Sequence, residues 1–287
     1  MNILVLGGTG TVGSQVVGEL LARKIEVRVL TRSSQNANKV PKGAAGIIGD
    51  LLDPKTIRTI FRDVDGVFLL NAVSPTETHE GLMAVNGARM AGIKRIVYLS
   101  VPDLEKAPYL PHFGSKMAIE HVIKTSGIPF TILRPNNFFQ NDYWFKDALM
   151  DYGVYPQPIG DIGLTRVDVR DIAEAAVLSF LKSETEGQTY VLAGPDVLTG
   201  KTTAEAWSRA LGKPIVYMGN DLDAWEKQIL EYLPPWMVFD FRLMYDYFQK
   251  KGLKALPEDM ARQEKLLGHA PRLYENFVKE TALAWKN

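Results

Sequence analysis

The chain has 287 residues, with 33 basic and 33 acidic side chains, 46% hydrophobic and 23% charged, which suits a soluble globular protein of one large or two small domains. Zero net charge gives no reason to expect nucleic acid or an anionic membrane as a partner. The absence of cysteine excludes disulfides, thiolate nucleophiles and thiolate metal sites, and the four histidines are scattered with no i,i+4 pair, so no metal is expected.

The opening MNILVLGGTG has no basic residues ahead of its apolar run, and glycines interrupt that run. No apolar stretch approaches the about 20 residues that span a bilayer. Together with the missing cysteines, this is the pattern expected of a cytoplasmic protein.

Short, nearly all-apolar runs recur through the first half: Ile3 to Leu6, Val27 to Leu30, Val67 to Leu70, Ile96 to Leu99 and Phe130 to Leu133. Runs without polar alternation predict parallel strands covered on both faces. Between them, Val12, Val16, Val17, Leu20 and Leu21 fall at helical spacing, as do Leu82, Val85 and Met90. Strand and helix in alternation predict a doubly wound α/β sheet.

The first strand-to-helix turn reads LVLGGTGTVGS, so Gly8, Gly10 and Gly13 satisfy G-x-G-x-x-G, with Gly7 ahead of them. Such a turn needs glycine where φ is positive and where a pyrophosphate approaches the backbone, and the helix that follows presents free N–H groups. A triphosphate P-loop is a poorer fit, because Ser14 stands where that motif requires lysine. Gly7, Gly8, Thr9, Gly10, Thr11, Val12 and Gly13 are the candidate phosphate-binding residues of a dinucleotide.

The second strand ends VRVLTRSS, without the acid that grips the ribose of NAD. Arg32 and Ser33 instead suit a 2′-phosphate, which favours NADP(H) and leaves NAD(H) possible. Asp50, followed by Leu51, ends a short third strand; it either receives the adenine amino group or caps the helix after Pro54. Asn71, Ala72, Val73 and Ser74 follow the fourth strand, at the carboxyl edge where ligands lie in open α/β sheets. Ser100 ends the fifth strand as a site hydroxyl or a plain cap.

Near Tyr152 the pattern changes. The passage DYGVYPQPIGDIG predicts a loop or short hairpin, VDVRDIAEAAVLSFL a helix with Asp168 as N-cap, and Thr189 to Ala193 a further strand. From Thr199 the chain is mostly helical. In PPWMVFDFRLMYDYFQKKG, Met237, Phe241, Met244 and Phe248 share one face, while Trp236, Leu243 and Tyr247 spread onto another. A helix apolar on two faces is buried twice, against core, a substrate pocket, a lid or a second subunit.

Taken together, GGTGTVG, the Thr31–Arg32 pair, Gly49–Asp50, IKRIVYLS, HFGSKMAIEHVIKTSGIPFTILRPNNFFQN, VDVRDIAEAA and LLGHAPRLYENFV resemble the NmrA-like branch of the atypical short-chain dehydrogenase/reductases. The resemblance implies a Rossmann domain (1–153 with 166–193) and a smaller, mainly helical substrate domain (154–165 with 194–287). It implies cofactor contacts from Gly7 to Val12, Arg32, Asp50, Asn71 to Val73 and Lys116, with Asn137, Phe138 and Phe139 near the nicotinamide. The activity implied is reduction of a flat, conjugated small molecule such as a quinone, enone or dye. A non-catalytic NADP(H) sensor acting through a protein partner is the alternative, and a homodimer is possible.

Short-chain dehydrogenases that reduce carbonyls use Tyr-x-x-x-Lys, whereas here the residue four before Lys116 is His112, a loss of the tyrosine comparable to that in several NmrA-like members. Lys116 and His112 are the candidate catalytic pair. Their i,i+4 spacing puts both on one helix face; the competing role for His112 is to cap the helix after Pro111.

Overall fold

The computed structural model describes residues 1–286; residue 287, the end of the segment expected for the smaller domain, lies outside them. The apolar runs become strands and the amphipathic stretches helices: β1 (Asn2–Val5), α1 (Thr11–Ala22), β2 (Glu26–Thr31), α2 (Ser34–Ala37), β3 (Ala45–Ile48), α3 (Pro54–Ile60), β4 (Gly66–Leu69), α4 (Glu77–Met90), β5 (Arg95–Leu99), α5 (Pro111–Thr125) and β6 (Phe130–Pro135). The chain continues through α6 (Lys146–Met150), β7 (Val154–Tyr155), α7 (Val169–Leu181), β8 (Gln188–Leu192), α8 (Gly200–Leu211), β9 (Val216–Tyr217), α9 (Leu222–Ile229), α10 (Pro235–Lys251), α11 (Pro257–Leu267) and α12 (Tyr274–Lys286). Among the described residues no helix is long and apolar enough to cross a membrane.

Seven strands form one sheet in the order β3-β2-β1-β4-β5-β6-β8. The β1–β2, β1–β4, β2–β3, β4–β5 and β5–β6 pairs are all parallel. Side chains of the central strands are covered on both faces: Ile3, Leu4, Val5, Val67, Phe68, Ile96, Val97 and Tyr98 are at most 2% exposed. The order runs outward from β1 to β3, then returns to place β4 on the other side of β1. The chain's direction of winding therefore reverses between β1 and β4, and their carboxyl ends flank the crevice where open α/β sheets bind ligands.

Two compact units are present, one of Met1–Pro135, Val169–Val191 and Arg262–Gly268, the other of Asn136–Asp168, Leu192–Ala261 and the stretch after Gly268. In the first, α1 buries Val12, Val16, Val17 and Leu20. Met90 departs from the expected apolar face of α4: it ends the helix and is 72% exposed.

The capping role considered for Asp50 belongs to Asp53. That residue directly precedes Pro54, and its carboxylate accepts the N–H groups of Lys55 and Thr56 at 3.0 and 3.3 Å. Those bonds hold its carboxyl below the ordinary carboxylate range. Asp50 instead accepts the Leu52 N–H at 2.9 Å, a local turn.

In the second unit, the Gly/Pro passage is not a hairpin. Its strand β7 pairs in parallel with distant β9, in the register Val154↔Val216 and Tyr155↔Tyr217. The unit is organised around a fully buried charge pair, Arg166 with Asp142 at 2.8 Å. Asp142 also accepts hydrogen bonds from Tyr155 at 3.2 Å, Trp207 at 3.0 Å and Tyr274. Burial alone lowers the pKa of Arg166, but the Asp142 charge outweighs it and drives the pKa up. On α10, Val238, Tyr245, Tyr247 and Phe248 are buried, yet Trp236 remains 40% exposed. The second apolar face is uncovered at the first turn, just past the Pro234–Pro235 break.

Candidate functional site

The glycine loop leaves β1 at the crevice, and each glycine there does a different job. Gly7 has φ +74°, a conformation that side chains disfavour, and a Cβ on it would stand 2.9 Å from the Leu70 carbonyl oxygen. Gly8 is buried, and a Cβ there would meet the Val29 side chain of β2 at 2.7 Å. Gly13 lets α1 press on the loop: its Cβ would fall 2.1 Å from the Gly7 oxygen. Gly10 differs. It is exposed, φ is −87°, and an added Cβ meets only the Gly7 oxygen, at 3.4 Å. Its lack of a side chain serves the open side of the loop.

Gly10 is also the N-cap of α1, where no side chain caps the helix and no acid lies in the first turn. The helix therefore turns unneutralised N–H groups and its positive dipole end toward the loop. Across the crevice, Asn71 follows β4. It is 4% exposed, and neither its side-chain oxygen nor its nitrogen has a partner among the described residues. Buried amides are almost always hydrogen-bonded, so this one has an acceptor and donors free to meet a bound group. Ala72 is exposed and Val73 half-buried beside it. An uncapped helix end, a side-chain-free loop and an orphaned amide fit a dinucleotide.

At the end of β2, Arg32 extends with its side chain 61% exposed, its Nη2 lying 3.8 Å from the buried Glu80 carboxylate of α4. Ser33 is the N-cap of α2, its hydroxyl accepting the Asn36 N–H at 3.3 Å. Asp50 is exposed and Leu51 buried. Glu80 itself accepts the Thr76 hydroxyl at 2.7 Å.

His112 and Lys116 lie on α5 as the spacing predicts, and both are buried. The residue preceding the helix is Leu110, and no side chain caps that end. The His112 ring stands edge-on to Phe113, with centroids 4.8 Å apart. Lys116 donates to Glu77 of α4 at 2.6 Å. Further along α5, Glu120 accepts Arg134 Nε and Nη2 at 2.8 Å each, and Lys124 at 2.8 Å. Burial pulls the Glu120 pKa up, but the bonds from Arg134 and Lys124 outweigh it and leave the carboxyl below its ordinary value. Burial first, and then the charges of Glu77 and Glu120, push the buried Tyr98 phenol of β5 well above its ordinary pKa. Ser100, just after β5, is 2% exposed.

Asn137, Phe138 and Phe139 belong to the second unit. There the Asn137 side-chain oxygen accepts Arg166 Nε at 2.8 Å, the Phe138 carbonyl accepts Arg166 Nη2 at 2.6 Å, and Phe139 packs on Tyr274 and Phe277. Sequence reasoning missed Glu77, Glu80 and Glu120. Glu77 and Glu80, in the first turn of α4, signal a helix start, and Glu120 sits mid-helix in α5; neither position tells which cation each one meets.

A model described as the NmrA-like family matches residues 1–278. The chain is similar to an NAD(P)H azoreductase from Xenophilus azovorans, 29% identical over 99% of each chain. It is similar also to a (4-alkanoyl-5-oxo-2,5-dihydrofuran-3-yl)methyl phosphate reductase from Streptomyces griseus, 30% identical over 99% of each. Among solved structures, the NADPH complex of a quinone oxidoreductase from Escherichia coli superposes with a TM-score of 0.84 at 23% identity, covering 99% of this chain and all of that one.

Proposed function

Since the chain belongs to the NmrA-like family, we propose that it is an NAD(P)H-dependent reductase, and that its acceptor is a flat, conjugated small molecule such as a quinone, enone or dye. The observation that carries this reading is the open glycine loop at the uncapped end of α1, with the unpartnered Asn71 amide across from it. Gly7 to Gly13 and the α1 amides hold the pyrophosphate, Asn71 to Val73 line the same crevice, and Asp50 with Leu51 flanks the adenine. Arg32 takes the 2′-phosphate of NADPH. Glu80 beside it offsets part of that charge, so NADH is accepted too.

Bound NAD(P)H supplies a hydride, and this chain's residues orient it. Lys116 holds ribose hydroxyls. His112 stands where carbonyl-reducing relatives carry tyrosine and donates a hydrogen bond to the acceptor. A conjugated acceptor spreads the incoming charge over its π-system and so needs no strong protein acid. Asn137, Phe138 and Phe139, and the segments 154–165 and 194–287, are assigned to the nicotinamide and acceptor side. The reaction needs neither nucleic acid nor membrane, a homodimer is compatible with it, and the cysteine-free composition supports a cytoplasmic setting.

NADPH oxidation measured against a panel of quinones, azo dyes and triphenylmethane dyes tests the reading. Turnover on any of them supports the enzyme. Tight NADPH binding without turnover on all of them replaces it with a cofactor-sensing regulator acting through a protein partner. Within the panel, His112→Ala is expected to slow quinone and enone reduction and to spare dyes that need no proton; full activity on every acceptor removes the histidine from the mechanism.

A further inference from the structure

We infer that Glu77, the first residue of α4, is a positioning residue that fixes the Lys116 ammonium at the cofactor site. The inference rests on the reading of Lys116 as the ribose-binding lysine. The pair is 2.6 Å long, and its side chains are 1% and 6% exposed. Both ends are held by backbone geometry. Gly81, one turn beyond Glu77, has no side chain, and a Cβ there would lie 2.4 Å from Ile119 Cδ1 of α5. That close approach brings the first turn of α4 within reach of Lys116.

Local sequence points to another partner. Glu120 is i+4 from Lys116 on the same helix, the spacing at which such pairs form. Glu120 is committed elsewhere, however, with both oxygens on Arg134 and one also on Lys124. Lys116 is thus left to a carboxylate 39 residues away in sequence. A buried ion pair recovers little net stability over apolar side chains of the same volume, because both ions lose their hydration. It does restrict geometry. An ammonium has three N–H donors; among the described residues Lys116 donates to Glu77, which leaves two donors pointing in directions set by that bond. The loop that delivers Glu77 begins at Asn71, whose buried amide awaits a partner, so one short segment carries a ligand contact at one end and the lysine's anchor at the other.

The test is calorimetric titration of NADPH and of NADH into the wild type, Glu77→Gln, Glu77→Asp, Lys116→Met and the Glu77→Gln/Lys116→Met double variant, with thermal unfolding recorded for each. Glu77→Gln is expected to weaken both cofactors about tenfold and by equal factors, since the ribose beside Lys116 is common to them. The double variant is expected to bind no more weakly than Lys116→Met, because Glu77 acts through the lysine. Removing one charge of a buried pair also destabilises the fold. If Glu77→Gln does not fold, Glu77→Asp keeps the counter-charge but withdraws it by one methylene, and a several-fold weaker affinity for both cofactors is expected. Affinities equal to wild type in the folded Glu77 variants, losses that multiply in the double variant, or a loss confined to NADPH would each overturn the inference. A wild type that binds neither cofactor would overturn the underlying reading instead.

Discussion

Two glycines three residues apart should fail in opposite ways when alanine replaces them. At Gly10 the new Cβ meets one atom, the Gly7 oxygen at 3.4 Å, and the backbone φ of −87° suits any residue. Replacing glycine by alanine at an N-cap costs about 0.5 kcal/mol. The loss of unfolded-chain freedom returns about 0.4–1 kcal/mol. The stability of Gly10→Ala should therefore stay within about 0.5 kcal/mol of wild type. A phosphate oxygen on the loop needs about 2.9 Å to a backbone nitrogen, and a methyl group on the adjacent carbon crowds that approach. A loss of at least about 1.4 kcal/mol, or tenfold, is expected for NADPH and NADH alike. At Gly13 the Cβ would fall 2.1 Å from the Gly7 oxygen and 2.7 Å from its carbonyl carbon, backbone that cannot rotate aside. Overpacking of that kind costs about 1–3 kcal/mol or more. Differential scanning fluorimetry and calorimetric titration read the two effects separately. A Gly10→Ala protein with wild-type affinity, or a Gly13→Ala protein with wild-type stability, would refute the division of roles.

Arg32→Ala is expected to weaken NADPH by about 1.5–3 kcal/mol, roughly 10- to 150-fold, and to leave NADH unchanged in a titration; equal losses would make Arg32 structural. Asp142→Asn leaves the Arg166 charge buried without its counter-ion and should destabilise the protein by about 3–5 kcal/mol in urea unfolding, whereas a change below 1 kcal/mol would mean that the Tyr155 and Tyr274 hydroxyls suffice. Because the folded-state pKa of Glu120 lies below its ordinary 4.5, the stability it contributes is present above that value and is lost as pH falls through the folded pKa. Arg134→Met removes two of the bonds responsible, so its acid-unfolding midpoint, followed by circular dichroism, should move to higher pH; an unmoved midpoint would show that Lys124 and Ser100 sustain the shift without Arg134.

The parallel sheet was legible because its strands are buried on both faces. Ile3–Val5, Val67–Leu69 and Ile96–Leu99 carry no polar alternation, and only covered strands tolerate that. The glycine loop was legible for a related reason, since a residue that must lack a side chain leaves its mark in the sequence. Pairings between distant residues leave no such mark. Nothing local connects Asp142 to Arg166, or Val154 to Val216, because their contacts depend on how whole elements pack. Of the loop or hairpin expected in the Gly/Pro passage, the hairpin failed for this reason: turn residues announce a bend but not the partner strand. Asp50 and Asp53 show a finer limit. Both precede a helix beginning with proline, but the N-cap is Asp53, the residue next to that proline, with an extended backbone and a carboxylate on the Lys55 and Thr56 N–H groups.

The acids of α4 bear on how a multiply charged cofactor is held. Arg32 and Lys116 each face a buried carboxylate, Glu80 and Glu77, so the four side chains sum to zero before any ligand arrives. On the proposed reading, the pyrophosphate would then be stabilised mainly by backbone amides and the α1 dipole, which no side chain neutralises. That division predicts unequal roles for the two ends of the crevice. The glycine loop sets affinity for any dinucleotide, and the Arg32–Glu80 pair sets only the difference between dinucleotides with and without a 2′-phosphate. Glu80→Gln should accordingly tighten NADPH several-fold by removing a like charge near the phosphate, while NADH, which leans on the loop, stays as it was. Equal tightening of both, or a weaker NADPH, would mean that Glu80 serves to hold Arg32 in place instead of opposing the phosphate.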